Sequence, residues 1–288
     1  MKLALGTVQF GLSYGIANKN GQISRQSAND IINLARSNKI DILDTAITYG
    51  ESEERLGEIG VSDFKIVTKL PALPENHLDL EQWIHSQVKN SLTKLRVNNI
   101  YSLLLHRPRQ LTNNTGESFN KTLLALKKEG LIEKIGVSIY APEELEAIFH
   151  TGLIDIVQAP LNLLDQRIVT SGWLQRLYDA GVEIHTRSAF LQGLLLMPRK
   201  TIPGEFEKWS RLWDTWHSWL LANDISASTA CLHYPLSLHQ VSRVVVGVDS
   251  VEHLQELIMA EQIISKAVSL PNLCSTDINL IDPSKWRL

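Results

Sequence analysis

The sequence predicts an α/β protein built as a closed, parallel eight-stranded (β/α)8 TIM barrel, and three observations predict it. Eight short runs read as strands, nearly all are apolar along their length, and a helical run follows each one. Strands that are apolar on both faces belong to a parallel sheet covered on its outside. Eight such units favour closure into a barrel over the competing arrangement, an open doubly wound sheet.

Taken in order, Leu3 to Val8 is the first strand, followed by a glycine-bearing stretch (Gly11, Gly15, Gly21) and a helix over Ser27 to Ser37 with apolar positions at Ile31, Ile32, Leu34 and Ala35. Strand Asp41 to Ala46 leads to helix Ser52 to Ile59, strand Lys65 to Leu70 to helix Leu80 to Leu95, and strand Ile100 to His106 to helix Phe119 to Glu129. Strand Lys134 to Ser138 precedes helix Pro142 to Phe149, where proline suits a first helical position because that N–H has no partner in any case. Strand Ile154 to Ala159 and helix Ile168 to Asp179 follow, then strand Val182 to Ser188 and a longer segment with helices over Glu205 to Ala222 and Ala227 to Tyr234. Strand Arg243 to Gly247 and helix Val251 to Ser265 complete the set. Gly130 and Gly181 stand where helices close. No internal boundary is rich in proline, glycine and serine, so residues 1–288 read as one domain, with a tail from about Pro271 to Leu288 lying over it.

The composition is that of an ordinary soluble chain: 288 residues, 44% apolar, formal net charge -3. That charge gives no case for nucleic acid or an anionic membrane as partner. Gly6 and Gln9 interrupt the amino terminus too soon for a signal peptide, and no apolar run reaches the roughly 18 residues of a membrane span, so a cytoplasmic location is expected. Cys231 and Cys274 read as reduced thiols. The histidines show no metal-ligand spacing.

In such a barrel the catalytic groups come from the carboxyl ends of strands. The second strand ends near Asp44 with Tyr49 just beyond, the third near Lys69 and the fourth near His106, so an aspartate, a tyrosine, a lysine and a histidine converge on one rim. Singly, each has a plainer role as a helix cap, a solvated rim residue or a core histidine. Together they form a device for protonating a carbonyl oxygen. A tyrosine starts near pKa 10 and exchanges its proton near neutrality only if the phenolate is stabilised, which a lysine cation does. The aspartate would hold that lysine, and the histidine would orient the carbonyl.

The run Asp44-Thr45-Ala46 with Tyr49-Gly50, Glu53 and Leu56-Gly57, then Lys69, then Leu105-His106, resembles the catalytic tetrad of the aldo-keto reductase superfamily, and the likeness extends from Leu3 to about Ile264. It implies reduction of an aldehyde or ketone by hydride from NADPH, with NADH as the other possibility. Tyr49 would be the general acid, Lys69 and Asp44 its tuning pair, and His106 the residue that orients the carbonyl. It also implies cofactor contacts at Gly6 and Thr7, at Asp44, at Ser138 and Gln158 around the carboxamide, and at Ser188 with Phe190, Gln192 and Gly193 over the pyrophosphate, with Asn162 a recurrent neighbour. Gly247, Val248, Asp249, Ser250, His253 and Glu256 match the adenosine loop.

The chain departs from the family pattern in four places. One is the adenosine loop, which offers Asp249, with His253 near a frequent arginine, where many members place lysine or arginine to pair with the 2′-phosphate of NADP. Ile139 follows Ser138 where an asparagine is usual, Arg187 replaces the aromatic residue that stacks on the nicotinamide, and the amino-terminal hairpin is missing. A guanidinium can take over such stacking. Gln9 and Tyr14, in the long segment after the first strand, are substrate-contact candidates, while Trp209, Trp213, Trp216 and Trp219 at helical spacing read as packing. The expected activity is therefore an NAD(P)H-dependent carbonyl reductase with a small-molecule substrate. Two alternatives compete with it: a nicotinamide-binding regulatory protein on the same fold, and a barrel lyase or isomerase with a Schiff base at Lys69.

Overall fold

The computed structural model describes residues 1–18, 21–74, 79–263 and 269–286. Its sheet is a closed barrel of eight parallel strands in sequence order. They are β1 (Leu3–Gly6), β2 (Ile42–Asp44), β3 (Lys65–Leu70), β4 (Ile100–Leu105), β5 (Ile132–Ser138), β6 (Ile156–Pro160), β7 (Glu183–Arg187) and β8 (Arg243–Gly247), with β8 pairing back onto β1. All eight expected strands are present, five of them trimmed by one or two residues at an end, while β5 starts two residues earlier than expected.

The helical expectations need more correction. Ile168 to Asp179 is two helices, Arg167–Thr170 and Trp173–Asp179, divided at Gly172 with φ +80°. Pro142–Glu144 and Gly204–Trp209 are 3₁₀ turns that lead into Leu145–Phe149 and Ser210–Asn223. The helix from Ala227 runs on to Ser237 through Pro235. The last two residues of the expected helix Val251 to Ser265 fall outside the described residues. None of the described helices is long and apolar enough to cross a membrane.

Side chains alternate along each strand, and this period organises the barrel interior. One interior layer is Ala4, Ile42, Val67, Leu104, Ile156 and Val245, an apolar cluster drawn from six strands. The opposite strand face packs on the helices in the main core, for example through Leu5, Leu43, Ile66, Leu103, Val157 and Val246. Two residues beyond each member of the interior layer stand Gly6, Asp44, Lys69, His106, Gln158 and Gly247. The carboxyl rim is therefore a polar layer stacked on an apolar one.

The amino end of the barrel is closed by charge. Lys134 donates to Tyr101 Oη at 2.8 Å and to Glu183 at 2.6 Å, while Tyr101 and the buried His185 both bond Glu183 at 2.7 Å. Arg243 and Lys65 pair with Asp41 on the other side. Burial opposes the charge on Glu183, but its hydrogen bonds to His185, Lys134 and Tyr101 outweigh that and hold the carboxyl well below the usual range. β1 begins at Leu3.

A second apolar cluster lies beside the barrel, formed by Leu191, Leu194, Leu195, Phe206, Trp213 and Trp216 together with Leu273, Leu280 and Ile281 from the carboxyl-terminal stretch. The tryptophans pack, as expected. Trp213 donates its indole N–H to Phe206 O at 2.9 Å and Trp216 to Leu195 O at 3.0 Å, so buried indoles are satisfied by backbone. Cys231 is buried in this cluster and Cys274 is an exposed free thiol.

Helix Ser52–Ile59 is drawn close to helix Leu80–Leu95. A Cβ added at Gly57 would lie 1.9 Å from Lys94 O, so only glycine permits the contact. Glu53, on the same helix, is buried and accepts from Thr68 Oγ1 at 2.7 Å and Ser91 Oγ at 2.9 Å. Gly57→Ala is expected to cost about 2–3 kcal/mol or more, since the backbone it meets cannot yield as a side chain can. Urea unfolding would check this, and a loss under about 0.5 kcal/mol would contradict the close approach.

Candidate active site

Lys69, on the interior face of β3, has its ammonium 2.6 Å from Asp44 Oδ2 and 2.8 Å from Thr45 O. Both members of the pair are almost wholly out of solvent, at 1% and 6% side-chain exposure. Asp44 is held from its other side as well: Gln158 donates to Oδ1 at 2.6 Å, and Ser138 donates to Gln158 Oε1 at 3.0 Å. Burial pushes the Lys69 ammonium downward against the opposing pull of Asp44.

Tyr49 reaches this pair from the turn after β2. Its N–H bonds Ala46 O at 2.9 Å and its carbonyl accepts from Ser52 N–H at 3.0 Å, which fixes the turn at both ends. The short helix Val8–Gly11 seats directly on that carbonyl, where a Cβ at Gly11 would lie 1.7 Å from Tyr49 O. Lys69 Nζ then stands 5.3 Å from the centroid of the phenol ring, and the His106 ring is 6.2 Å away. His106 follows β4, with its N–H on Leu70 O at 3.1 Å.

The electrostatics differ from the sequence expectation in one respect. Burial, reinforced by the Asp44 carboxylate, holds the Tyr49 phenol above its ordinary value, and the cation that pulls it back is Arg187. Burial together with Lys69, Arg187 and Arg107 lowers His106 to about 3, so its imidazole is neutral across the physiological range. The site therefore presents a protonated phenol and a neutral imidazole side by side. Such a pair can donate two hydrogen bonds to one carbonyl oxygen.

These residues line a cavity of about 630 Å³ that runs from Tyr49 and His106 to the loop after β8. Every residue expected to contact cofactor lies on its wall except Ser250, whose hydroxyl instead accepts from His253 N–H at 3.2 Å at the start of helix Val251–Ile263. Gln9 and Tyr14 are also on the wall, and Gln9 Oε1 is buried without a hydrogen-bond partner. Asn162 is not. It donates to Ser188 O at 3.0 Å and accepts from Leu164 and Asp165 N–H, which makes it a staple for the neighbouring loop.

That loop is strained. Ser188, Leu191 and Gln192 all hold positive φ, and Gly193 has φ +92°. Non-glycine residues stay in that region only where surrounding bonds over-determine them, here Asn162 from below and Trp216 on Leu195 O.

Tyr140 was missed from sequence. It lies on the cavity wall with the Arg187 guanidinium 4.9 Å from its ring centroid, and Arg187 also donates to Ile139 O at 3.0 Å and Ser188 Oγ at 3.2 Å. Ser226 and Ser228, at the far end, were missed too. The only sequence signal for Tyr140 was its place two residues past Ser138; the two serines had none beyond their role in starting a helix.

The cavity opens at the carboxyl ends of the parallel strands, where barrel enzymes carry their active sites, and it has a phenol, an imidazole and a buried lysine on its wall. The chain matches the aldo/keto reductase family model over residues 2–268 and belongs to that family, the NAD(P)H-dependent oxidoreductases of carbonyl and alcohol groups. Among solved structures it is similar to a Pseudomonas aeruginosa protein assigned to the aldo-keto reductases (24% identity, TM-score 0.68, 92% of this chain and 91% of that one). It is also similar to aldo-keto reductase AKR11C1 of Bacillus halodurans in its holo form (20% identity, TM-score 0.72, 94% of each chain). At these identities the likeness is one of fold. No curated protein sequence matches the chain.

Asn162→Ala removes three hydrogen bonds that hold the strained loop. It is expected to cost about 1–3 kcal/mol and to loosen dinucleotide binding. Thermal unfolding and fluorescence titration check both. A stability loss with unchanged dinucleotide affinity would show that the loop does not shape the cavity.

Proposed function

We propose that the protein reduces an aldehyde or ketone with Tyr49 as the proton donor, and that its cavity binds the reduced nicotinamide dinucleotide alongside the substrate. The observation that carries this reading is the convergence of Tyr49, His106 and the Lys69–Asp44 pair on one end of an elongated cavity.

The residues fit such a cofactor. Gln158 and Ser138 offer amide and hydroxyl groups to a carboxamide, the orphaned Gln9 Oε1 offers an acceptor, and Ser188 with Phe190, Gln192 and Gly193 would cover the phosphates. When bound, the reduced nicotinamide supplies the hydride. His106, being neutral, donates one N–H to the substrate oxygen and polarises the carbonyl. Tyr49 gives its proton to that oxygen as negative charge builds there. The phenolate left behind would have the Lys69 ammonium 5.3 Å from its ring centroid, with Arg187 as the second cation of the site. Arg187 favours the charged form, while burial and the Asp44 carboxylate keep the phenol protonated until the oxygen takes the proton. Tyr14 and Tyr140 line the same end, where the substrate would bind, and give its wall an aromatic character.

Tyr49→Phe is expected to lower kcat for carbonyl reduction by about 10²-fold or more while leaving dinucleotide binding intact. Absorbance assays with aromatic aldehydes, short sugars and keto compounds would read this. Equal activity in the two proteins would remove Tyr49 from the mechanism, and binding without turnover on any substrate would favour a regulatory role.

The pH profile follows from the shifts. Tyr49 is raised above 10.0, so the reactive phenol stays protonated through the neutral and mildly alkaline range, and reduction slows only in strong alkali. His106 lies near 3 instead of 6.5, so kcat/KM should show no step near pH 6.5. A limb at that position that disappears in His106→Gln would contradict a neutral imidazole.

A further inference from the structure

The two ends of the cavity differ in charge. If the reductase reading holds, one end of the dinucleotide is fixed beside Tyr49 and His106. The cavity leads from there past Gly193 to Ser226, Ser228, Asp249, His253 and Glu256. This is the space left for the adenosine half, outside the carboxyl end of β8. NADH and NADPH differ only in that half, by a hydroxyl or a phosphate on one ribose carbon.

Among the described residues, the lysine and arginine side chains on the cavity wall are Lys69 and Arg187, both at the tyrosine end. The far end carries two carboxylates. Glu256 is held at the wall by a hydrogen bond from Ser228 Oγ. Asp249 is partly buried, and its Oδ1 is shielded from solvent with no hydrogen-bond partner. No arginine or lysine answers it: burial raises its carboxyl, and the opposing influence comes from His253 alone. The start of helix Val251–Ile263 would ordinarily attract an anion, but Glu252 already occupies its first turn.

We propose that this cavity selects NADH over NADPH, with Asp249 and Glu256 as the residues that set the preference. A ribose hydroxyl is neutral and can donate a hydrogen bond to a carboxylate. A 2′-phosphate brings a dianion beside two negative charges. Asp249 is half-buried and cannot be screened as a fully solvated carboxylate is, so its share of the repulsion persists at physiological salt. This reverses the order that family resemblance suggests.

Calorimetric titration of the wild-type protein with NADH and with NADPH tests the proposal, since it reads binding alone. NADH is expected to bind at least about tenfold more tightly. In Asp249→Asn/Glu256→Gln the ratio should fall by about threefold or more, through stronger NADPH binding. Because each variant is judged by the ratio of two ligands, a general loosening of the cavity leaves the readout intact. Glu256→Gln, at an exposed position, provides the same comparison should the Asp249 change prevent folding. Equal or tighter binding of NADPH to the wild type, or an unchanged ratio in the variants, overturns the proposal. NADH binding with no turnover of any carbonyl compound would sink the reductase reading and leave the selectivity standing, whereas failure to bind either dinucleotide sinks both.

Discussion

The ion pair between Lys69 and Asp44 is the constraint on which the rest of the site depends. Taking an ammonium and a carboxylate out of water costs several kcal/mol per ion, and that cost is offset only where geometry is good and remaining hydrogen-bonding capacity is filled. Here Thr45 O takes a second Lys69 proton and Gln158 covers the second Asp44 oxygen, with Ser138 behind it. The pair therefore ties β2, β3, β5 and β6 together at the rim. The apolar layer immediately beneath it keeps the pair dry and in place. A hydrophobic replacement would pack as well, but it would not place a fixed cation, deprived of an exposed lysine's freedom to turn away, 5.3 Å from the centroid of the Tyr49 ring.

The parts of the chain remote from the rim serve the same site. Asn162 and the tryptophan-bearing helix Ser210–Asn223 hold a loop whose backbone would relax without them. The carboxyl-terminal stretch holds the turn that leads into that helix, with Asp277 accepting from the Trp209 indole at 3.2 Å. At the opposite end of the barrel, the ring of Asp41, Lys65, Tyr101, Lys134, Glu183 and Arg243 satisfies charges that would otherwise face an open barrel mouth. Arg187 links both concerns, since it is seated by Ile139 O and Tyr140 yet acts electrostatically on Tyr49 and His106.

Much of this was legible in the sequence, for definite reasons. Parallel strands buried on both faces leave continuous apolar runs, so all eight strands could be read, and the strand period placed Asp44, Lys69 and His106 together at the rim. Helix ends were less legible because glycine and proline act there through local φ: the break at Gly172 and the continuation through Pro235 depend on packing, which no local pattern records. Tyr140 escaped notice because its role depends on Arg187, 47 positions later, lying on the neighbouring side of the barrel mouth. Ser250, off the cavity wall, was hard to read for the opposite reason, since a serine at a helix start serves equally as a cap or as a ligand. The charged ring at the amino end is drawn from six separate strand starts and has no sequence signature at all.

The central claim is that Lys69 and Asp44 act on Tyr49 as one unit. The most direct test is a double-mutant cycle on the hydride-transfer step, read by single-turnover absorbance with Lys69→Met, Asp44→Asn and the two combined. Each single change is expected to slow the step by about 10²-fold or more, and the double variant to be no slower than the worse single one. Losses that multiply in the double variant, or a single variant that keeps the wild-type rate, would show that the two residues do not work as a pair.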